Sequence, residues 1–282
     1  MNEVIKENII PFSEDYWKQD GGRKWVELID ETEATLQVFN EKLLEHAGIG
    51  AGETVLEVGC GGGLNSIEIA SRVGETGSVL SVDISPEILA VAAARGGHVT
   101  NLVFTEGDAA SMSLEPGLFS LIFSRFGVMF FSDPVNAFVN LRRALRPDGR
   151  MVFLCWRSME ENTWMMEPAR AVQEVIPPQG PPPDPDAPGP FSLGQRETLT
   201  SLLGDAGFQS IDIAALDVGM SIGPLSNTVE FFMKMGPAAV AVADATEAQK
   251  AEVKEALGKA LKKYETADGV VMPGAAWLVS AR

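Results

Sequence analysis

One stretch of the sequence constrains the fold more than any other, because it joins a predicted strand to a predicted helix through a run of glycines. Residues 54–58 (TVLEV) are mostly apolar and β-branched, which is typical of a buried strand. Glycine then occupies positions 59, 61, 62 and 63, and apolar residues recur at helical spacing from Leu64 to Ala70. Glycine accepts a positive φ and lets a ligand approach the backbone closely. The stretch therefore predicts a strand, a glycine loop and a helix whose first N–H groups are free.

The spacing of the glycines bears on the ligand. Dinucleotide-binding loops follow the pattern G-x-G-x-x-G, whose third glycine would fall on Leu64 in this chain. The pattern present is instead Glu57-x-Gly59-x-Gly61-x-Gly63. A tight turn that binds nothing also remains open at this point, because a glycine loop alone does not specify a ligand.

Acidic residues follow the next two predicted strands. Asp83 ends a strand over residues 78–83, about 20 residues past the glycine loop, where a carboxylate can accept hydrogen bonds from ribose hydroxyls. Ile84 follows it and could lie against a base. Asp108 comes just after a strand over residues 101–105, where it could accept a hydrogen bond from an adenine amino group.

The alternation of strands and helices predicts the fold class. Further strands are expected over residues 118–124 and 151–156, with helices between them. This alternation predicts an α/β fold with a doubly wound, mostly parallel sheet. Ligands of such sheets bind beyond the carboxyl ends of the strands, where Glu57, Asp83, Asp108 and Ser124 are all expected.

Composition excludes several classes of partner. The net charge of −17 argues against nucleic acid and against an anionic membrane surface. Two cysteines, Cys60 and Cys155, without C-x-x-C spacing argue against a zinc site, and no metal is expected. With no recognisable signal peptide and no apolar run long enough for a membrane span, we expect a cytoplasmic protein.

Taken together, the glycine loop, Asp83, Asp108 and the segment SRFGVMFF-x-DP at residues 124–134 resemble class I methyltransferases that depend on S-adenosylmethionine (SAM). The resemblance extends over about residues 50–156 and is closest to the UbiE-like bacterial branch that methylates small molecules. It implies SAM as the cofactor and a small-molecule methyl acceptor. The segment after the fourth strand lacks the (D/N)-P-P-(Y/F/W) motif of enzymes that methylate DNA bases or protein amides.

The resemblance also assigns roles to residues. The glycine loop would approach the methionine part of SAM, Asp83 the ribose, and Asp108 the adenine edge. Ser124 and Arg125 would lie beneath the cofactor, near the acceptor. The residues so assigned to cofactor binding are Glu57, Gly59, Gly61, Gly63, Asp83, Ile84, Asp108, Ala109, Ser124 and Arg125.

The remainder of the chain divides around this core. Residues 1–48 are expected to form an N-terminal arm and a helix, over 34–47, that cover the cofactor site; the arm either closes over a ligand or simply shields apolar surface. Residues 49–157 form the SAM-binding core. Residues 158–282 are expected to hold a proline-rich loop at 177–190, strands six and seven near 208–216 and 275–281, and helices at 162–176, 195–206, 225–235 and 246–263. The expected architecture is a seven-stranded sheet with an antiparallel last strand and a helical lid over the acceptor.

The acceptor pocket and the catalytic group are less defined by the sequence. Aromatic and methionine side chains of the arm and lid suggest an apolar or aromatic acceptor; the candidates are Trp17, Trp25, Phe126, Met129, Trp164 and Phe231. No general base stands out. Asp133 and Arg125 are the catalytic candidates, but Arg125 stays protonated and Asp133 before Pro134 fits a helix N-cap. Methyl transfer would then depend mainly on proximity and in-line alignment.

Two alternatives stay open. An NAD(P)-dependent oxidoreductase could use a similar sheet, although Leu64 replaces the third glycine and neither Tyr16 nor Tyr264 has a lysine four residues later. A protein that binds SAM without turning it over would show the same loop and acids.

Overall fold

A mixed β-sheet runs through the part of the chain that the structure, a computed structural model, describes: residues 12–178 and 187–282. Seven strands lie in the order β3-β2-β1-β4-β5-β8-β6, and the two-residue strand β7 pairs with β8. The strands are β1 Thr54–Val58, β2 Ser78–Asp83, β3 Leu102–Glu106, β4 Phe119–Arg125, β5 Leu145–Trp156, β6 Asp212–Gly223, β7 Glu265–Thr266 and β8 Gly269–Ala281.

The strand directions confirm the predicted fold class. Strands β1 to β5 pair in parallel, while β8 runs antiparallel to both β5 and β6. The chain order reverses between β1 and β4, which makes the carboxyl ends of these two strands the switch point of the sheet. The sequence did not predict β7, since a two-residue strand carries no periodicity.

Helices cover both faces of the sheet. They are α1 Glu14–Lys18, α2 Asp20–Glu27, α3 Ile29–Ala47, α4 Leu64–Val73, α5 Pro86–Gly96, α6 Pro134–Ala144, α7 Thr163–Gln173, α8 Arg196–Asp205, α9 Leu225–Lys234, α10 Gly236–Val242 and α11 Glu247–Leu261. Short 3-10 turns lie at Val128–Phe130, Met159–Glu161 and Lys262–Tyr264.

Several boundaries differ from the sequence prediction. Helix α3 begins at Ile29 rather than at residue 34, because its buried stripe continues back through Ile29, Thr32 and Glu33. Strands β6 and β8 are longer than predicted and pair from Asp212 opposite Ser280 to Gly223 opposite Val270. Part of the predicted proline-rich loop, residues 179–186, and the first eleven residues of the predicted arm lie outside the described residues.

The C-terminal helices form a separate layer on one edge of the molecule. Helices α9, α10 and α11 follow β6, and α7 packs against both α10 and α11. Pro168 lies inside α7. The inserted helices α9 to α11 come between β6 and β8 in the sequence, although the two strands are paired directly in the sheet.

Candidate functional site

The glycine loop connects β1 to α4 with three residues in the left-handed region. Gly59, Gly61 and Gly63 have φ values of +68°, +55° and +80°. The loop begins on the sheet, because the backbone N–H groups of Gly59 and Cys60 both donate to the carbonyl of Val82, at 2.9 and 3.1 Å. Only glycine adopts three such conformations without strain, so the sequence pattern and the backbone path agree.

Asp83, at the end of β2, anchors this loop. Its Oδ2 accepts a hydrogen bond from the Gly61 N–H at 2.9 Å, and its Oδ1 accepts one from the Ser85 N–H at 3.1 Å. The carboxyl group is buried, and this burial raises its pKa against the opposing effect of the backbone donors. Asp83 therefore fixes the loop directly; its predicted bond to a ribose stays a prediction.

Glu57 lies below the loop rather than in it. Its side chain is 1% exposed and accepts hydrogen bonds from the hydroxyls of Ser66 in α4 and Ser81 in β2, the latter at 3.0 Å. Burial raises the pKa of Glu57 to about 7. The carboxyl group ties α4 to the sheet, so its influence on a ligand would pass through the loop.

The carboxyl end of β4 meets the glycine loop at a very close approach. A Cβ on Gly127 would lie 2.7 Å from the Val58 carbonyl oxygen and 3.1 Å from the Gly59 Cα. The Ser124 hydroxyl reinforces this contact, since it donates to the Val58 carbonyl at 2.8 Å and accepts from the Gly127 N–H at 3.3 Å. Ser124 is fully buried, so it holds the two strand ends together from within.

Arg125, the last residue of β4, is half-buried at this junction. Within residues 12–178 and 187–282 its guanidinium makes no hydrogen bond and has no carboxylate within 4.0 Å. Burial lowers its pKa, and the nearby charges of Glu33 and Glu57 oppose that shift. The group is a cation without a close partner at the switch point.

The third strand end carries the predicted adenine-side residues. Asp108 accepts hydrogen bonds from the Ala110 N–H at 2.9 Å and the Ser111 hydroxyl at 2.8 Å, so it shapes its own turn. Ala109 is buried, and Ile84 is half-buried beside Asp83. The Gly107 N–H donates to the Asp83 carbonyl at 3.0 Å, which brings the ends of β2 and β3 together.

Helix α2 places the predicted pocket residue Trp25 beside the loop, and Trp17 of α1 packs behind it. The Trp25 Nε1 lies 3.9 Å from the position that a Cβ on Gly61 would occupy. The Trp17 ring packs edge-on against Trp25, with centroids 6.1 Å apart, and against Phe130, at 5.0 Å. Trp17 Nε1 is buried and has no hydrogen-bond partner among the described residues. Phe130 was not predicted, since a residue in a 3-10 turn shows no periodic signal.

The other four predicted pocket residues lie in packed interior. Phe126, whose φ is +60°, stacks on Trp156 with ring centroids 4.0 Å apart and an interplanar angle of 11°. The ring centroids of Trp164 and Trp156 are 5.1 Å apart. Met129 is 2% exposed. Phe231 is buried in α9 beside Phe232, in the helical layer. The six candidates are therefore divided between the arm, the centre of the sheet and the helical layer.

Asp133 has a local role. Its carboxylate accepts hydrogen bonds from the Asn136 N–H and side-chain amide, at 3.1 and 2.6 Å, and so caps α6. The N-cap expected from the sequence is confirmed. Its candidacy for catalysis stays a prediction.

Glu33 and Arg95 are two site residues that sequence reasoning missed. Arg95 in α5 donates to both carboxylate oxygens of Glu33, at 3.0 and 2.8 Å, and to the Gly62 carbonyl at 3.1 Å. A Cβ on Gly62 would meet Glu33 Oε1 at 2.5 Å. The one sequence signal was the position of Glu33 on the buried stripe of α3, where an acid is unusual.

No group of three or more potential metal ligands occurs among the described residues, and no described helix has the length and apolar character to cross a bilayer. Two clefts, of about 350 and 580 Å³, lie along α3 and α4 and are lined by residues such as Gln37 and Leu64. Leu64, which lines both clefts, is the first residue after the glycine loop.

Comparisons with known proteins agree with this geometry. Residues 55–149 match the family model described as a methyltransferase domain. Demethylmenaquinone methyltransferase of Staphylococcus aureus is 29% identical over 118 residues, which are 42% of this chain and 49% of that protein. The chain thus spans about half the length of the curated relatives it matches.

Solved structures share the fold. Phosphoethanolamine N-methyltransferase 2 of Haemonchus contortus, in complex with SAM, aligns with a TM-score of 0.59 at 18% identity, over 96% of this chain and 60% of that one. The [4+2]-cyclase SpnF aligns with a TM-score of 0.51 at 19% identity, over 86% and 80% of the two chains. At such identities the likeness establishes the architecture. Residues 55–149, which include the glycine loop, thus match a methyltransferase domain, on a fold shared with solved methyltransferase structures.

Proposed function

We propose that the chain transfers a methyl group from SAM to a small, apolar or aromatic molecule. The observation that carries this proposal is the glycine loop at the switch point, with three left-handed glycines and the Asp83 carboxylate bonded to the Gly61 N–H. This loop lies within the residues that match the methyltransferase domain. We infer the cofactor and the reaction for the whole chain from this domain.

The residues at the strand ends fit such a cofactor. Both Asp83 oxygens keep a lone pair beyond the bonds to Gly61 and Ser85, so they can also accept from ribose hydroxyls. Arg125 brings a cation to the same junction. The residues that we propose to hold SAM, directly or through the loop, are Glu57, Gly59, Gly61, Gly63, Asp83, Ile84, Asp108, Ala109, Ser124 and Arg125.

SAM supplies, when bound, an activated methyl group on a sulfonium. The chain must then hold the acceptor in line with that group and keep water out. Correct alignment can lower the barrier by up to about 7–11 kcal/mol. We assign the water-excluding role to residues 1–48, because Trp25 lies beside the loop and Trp17 packs against Trp25. We propose that residues 49–157 bind the cofactor and that 158–282 complete the acceptor side.

Two features support an apolar or aromatic acceptor. The rings of Trp17, Trp25 and Phe130 form an aromatic wall near Gly61. One relative is a demethylmenaquinone methyltransferase, at 29% identity. The net charge of −17 also disfavours a polyanionic acceptor such as nucleic acid.

Calorimetry with SAM, S-adenosylhomocysteine and NAD tests the cofactor. We expect both adenosyl ligands to bind at micromolar to millimolar concentration and NAD not to bind. Absence of SAM binding at millimolar concentration would refute the proposal, and binding of NAD alone would favour an oxidoreductase.

A methyl-transfer screen over phenols, amines, quinones and thiols tests the reaction, with release of S-adenosylhomocysteine as readout. We expect turnover with an apolar aromatic member of the panel. SAM binding without turnover of any class would instead favour a binding protein.

A further inference from the structure

We propose that Arg125 and Glu33 receive the two charges at the amino-acid end of SAM, with Arg125 taking the carboxylate and Glu33 the ammonium group. This pair rests on the proposed function, since it presupposes SAM in the site. Both residues differ from the glycine backbone, which offers only neutral hydrogen-bonding groups, because each supplies a full charge of defined sign.

Arg125 is positioned to bind an anionic group of a ligand. It ends β4 one residue before Phe126 and two before Gly127, whose backbone touches Gly59 of the glycine loop. Within the described ranges no carboxylate lies within 4.0 Å of its guanidinium. A half-buried guanidinium without a close partner loses hydration that nothing replaces, so an anionic ligand group at this point would stabilise it.

The two nearest acids do not serve as that partner. Glu57 is bound to the hydroxyls of Ser66 and Ser81 and is held below the loop. Glu33 is bound to Arg95 and has no oxygen within 4.0 Å of the Arg125 guanidinium. Both act on Arg125 only through longer-range attraction. The guanidinium fork therefore keeps its donors for a planar, bidentate acceptor such as a carboxylate.

Glu33 lies beside the same loop, next to Gly62. Its Oε1 would lie 2.5 Å from a Cβ at Gly62, so the glycine makes room for the carboxylate beside the backbone. Arg95 holds Glu33 in place, but it donates to the carboxylate through a single nitrogen, Nη1. The carboxylate keeps lone pairs for a second donor, and an ammonium group offers three.

Two buried polar atoms without partners lie on the elements that frame this space. Thr32 Oγ1 precedes Glu33 on α3, and Asn65 Oδ1 belongs to the first turn of α4, directly after the loop. Both residues are at least nine-tenths buried and their oxygens have no hydrogen-bond partner among the described residues. Buried polar groups are normally paired, so each of these oxygens lacks a partner that a polar ligand beside α3 and α4 could supply.

Calorimetry with three ligands separates the two charges. Decarboxylated SAM lacks the carboxylate but keeps the ammonium group, and 5′-methylthioadenosine lacks the whole amino-acid end. We expect Arg125→Gln to weaken SAM binding by about 10- to 100-fold, the scale of a hydrogen bond to a charged group, and to leave the other two affinities unchanged. Arg125→Lys should recover part of the loss, since it restores the charge without the fork.

Glu33→Gln should give a different pattern. We expect SAM and decarboxylated SAM to bind about 10- to 100-fold more weakly, with the 5′-methylthioadenosine affinity unchanged. Asp30→Asn is the matched control. Asp30 also pairs with Arg95, at 2.8 Å, but its side chain is 84% exposed, and its loss should change none of the three affinities.

The outcomes distinguish the pair from the proposed function. If the native protein does not bind SAM, both are overturned. If SAM binds but each variant weakens all three ligands equally, the residues support the fold alone and the charge pair is refuted. Selective loss, as described for each variant, supports it.

Discussion

The glycine loop allows a sharp test, because its glycines differ in what a methyl group would meet. At Gly59 an added Cβ would lie 2.9 Å from the Gly127 Cα, a backbone atom that cannot rotate away, and φ is +68°. At Gly61 φ is +55°, but the nearest atom, Trp25 Nε1, is 3.9 Å away. Gly61→Ala therefore reports backbone strain alone, whereas Gly59→Ala reports strain together with crowding.

The expected costs follow from these two contributions. A left-handed residue other than glycine costs about 1–2 kcal/mol, which is the whole effect expected for Gly61→Ala. Overpacking against fixed atoms adds about 1–3 kcal/mol, so Gly59→Ala should lower the free energy of unfolding by about 2–5 kcal/mol. Gly204, in α8, has an ordinary φ and no atom within 4 Å of an added Cβ. There alanine should stabilise the protein by about 0.5–1 kcal/mol.

Urea unfolding, followed by circular dichroism, measures the three variants against the native protein. The dependence of the unfolding free energy on urea concentration should stay constant. The urea concentration at the midpoint should fall for the two loop variants and rise for Gly204→Ala. Equal losses at Gly59 and Gly61 would refute the crowding argument. A Gly59→Ala variant as stable as the native protein would refute the close contact of the β1 and β4 ends altogether.

Three further variants test the surroundings of the loop. Asp83→Ala should weaken SAM binding, measured by calorimetry, by more than tenfold while the fold persists. The substitution removes the acceptor of the Gly61 N–H and the proposed ribose contact. A near-native affinity would show that Asp83 does not belong to the site. Burial raises the pKa of Glu57 to about 7 from an ordinary 4.5, so the native state holds an extra proton between these values, and the free energy of unfolding should fall by up to about 3 kcal/mol as pH rises through that window. Glu57→Gln should flatten this dependence in urea titrations at pH 5 to 8, and an unchanged slope would contradict the assignment. Arg150→Lys should lower the free energy of unfolding by about 1–3 kcal/mol. The guanidinium donates to the Ala47 carbonyl at the end of α3 and, through two nitrogens, to Glu53 before β1. A thermal melt with an unshifted midpoint would show that this junction does not depend on the bidentate guanidinium.

The sequence predicted the features that depend on local chemistry. The glycine loop and the Asp133 cap of α6 are both present as expected. Each is set by a residue type within a few positions of the feature it forms. The parallel order of β1 to β5 followed from the same alternation of strands and helices.

The sequence could not predict features that depend on distant pairs. Glu33 and Arg95 are 62 positions apart, and nothing in either neighbourhood marks them as partners. Strand β6 was expected to end at residue 216 but reaches Gly223, since its mostly exposed side chains give no clear alternation. The stacking of Phe126 on Trp156 likewise depends on the left-handed φ at Phe126, a conformation that the sequence does not suggest for a bulky residue.

The sheet and its loop do not by themselves choose the reaction, because the same architecture occurs in a [4+2]-cyclase as well as in methyltransferases. What differs from one such protein to another must lie in the parts added to the sheet. In this chain those parts are α1 and α2, whose Trp25 lies beside the loop with Trp17 packed against it, and helices α9 to α11, which come between the last two long strands in the sequence. Of these added parts, α2 lies beside the glycine loop, through Trp25. Substitutions in α1 and α2 should therefore change acceptor selectivity before they change stability, whereas those in the buried cluster around Trp156 should do the reverse.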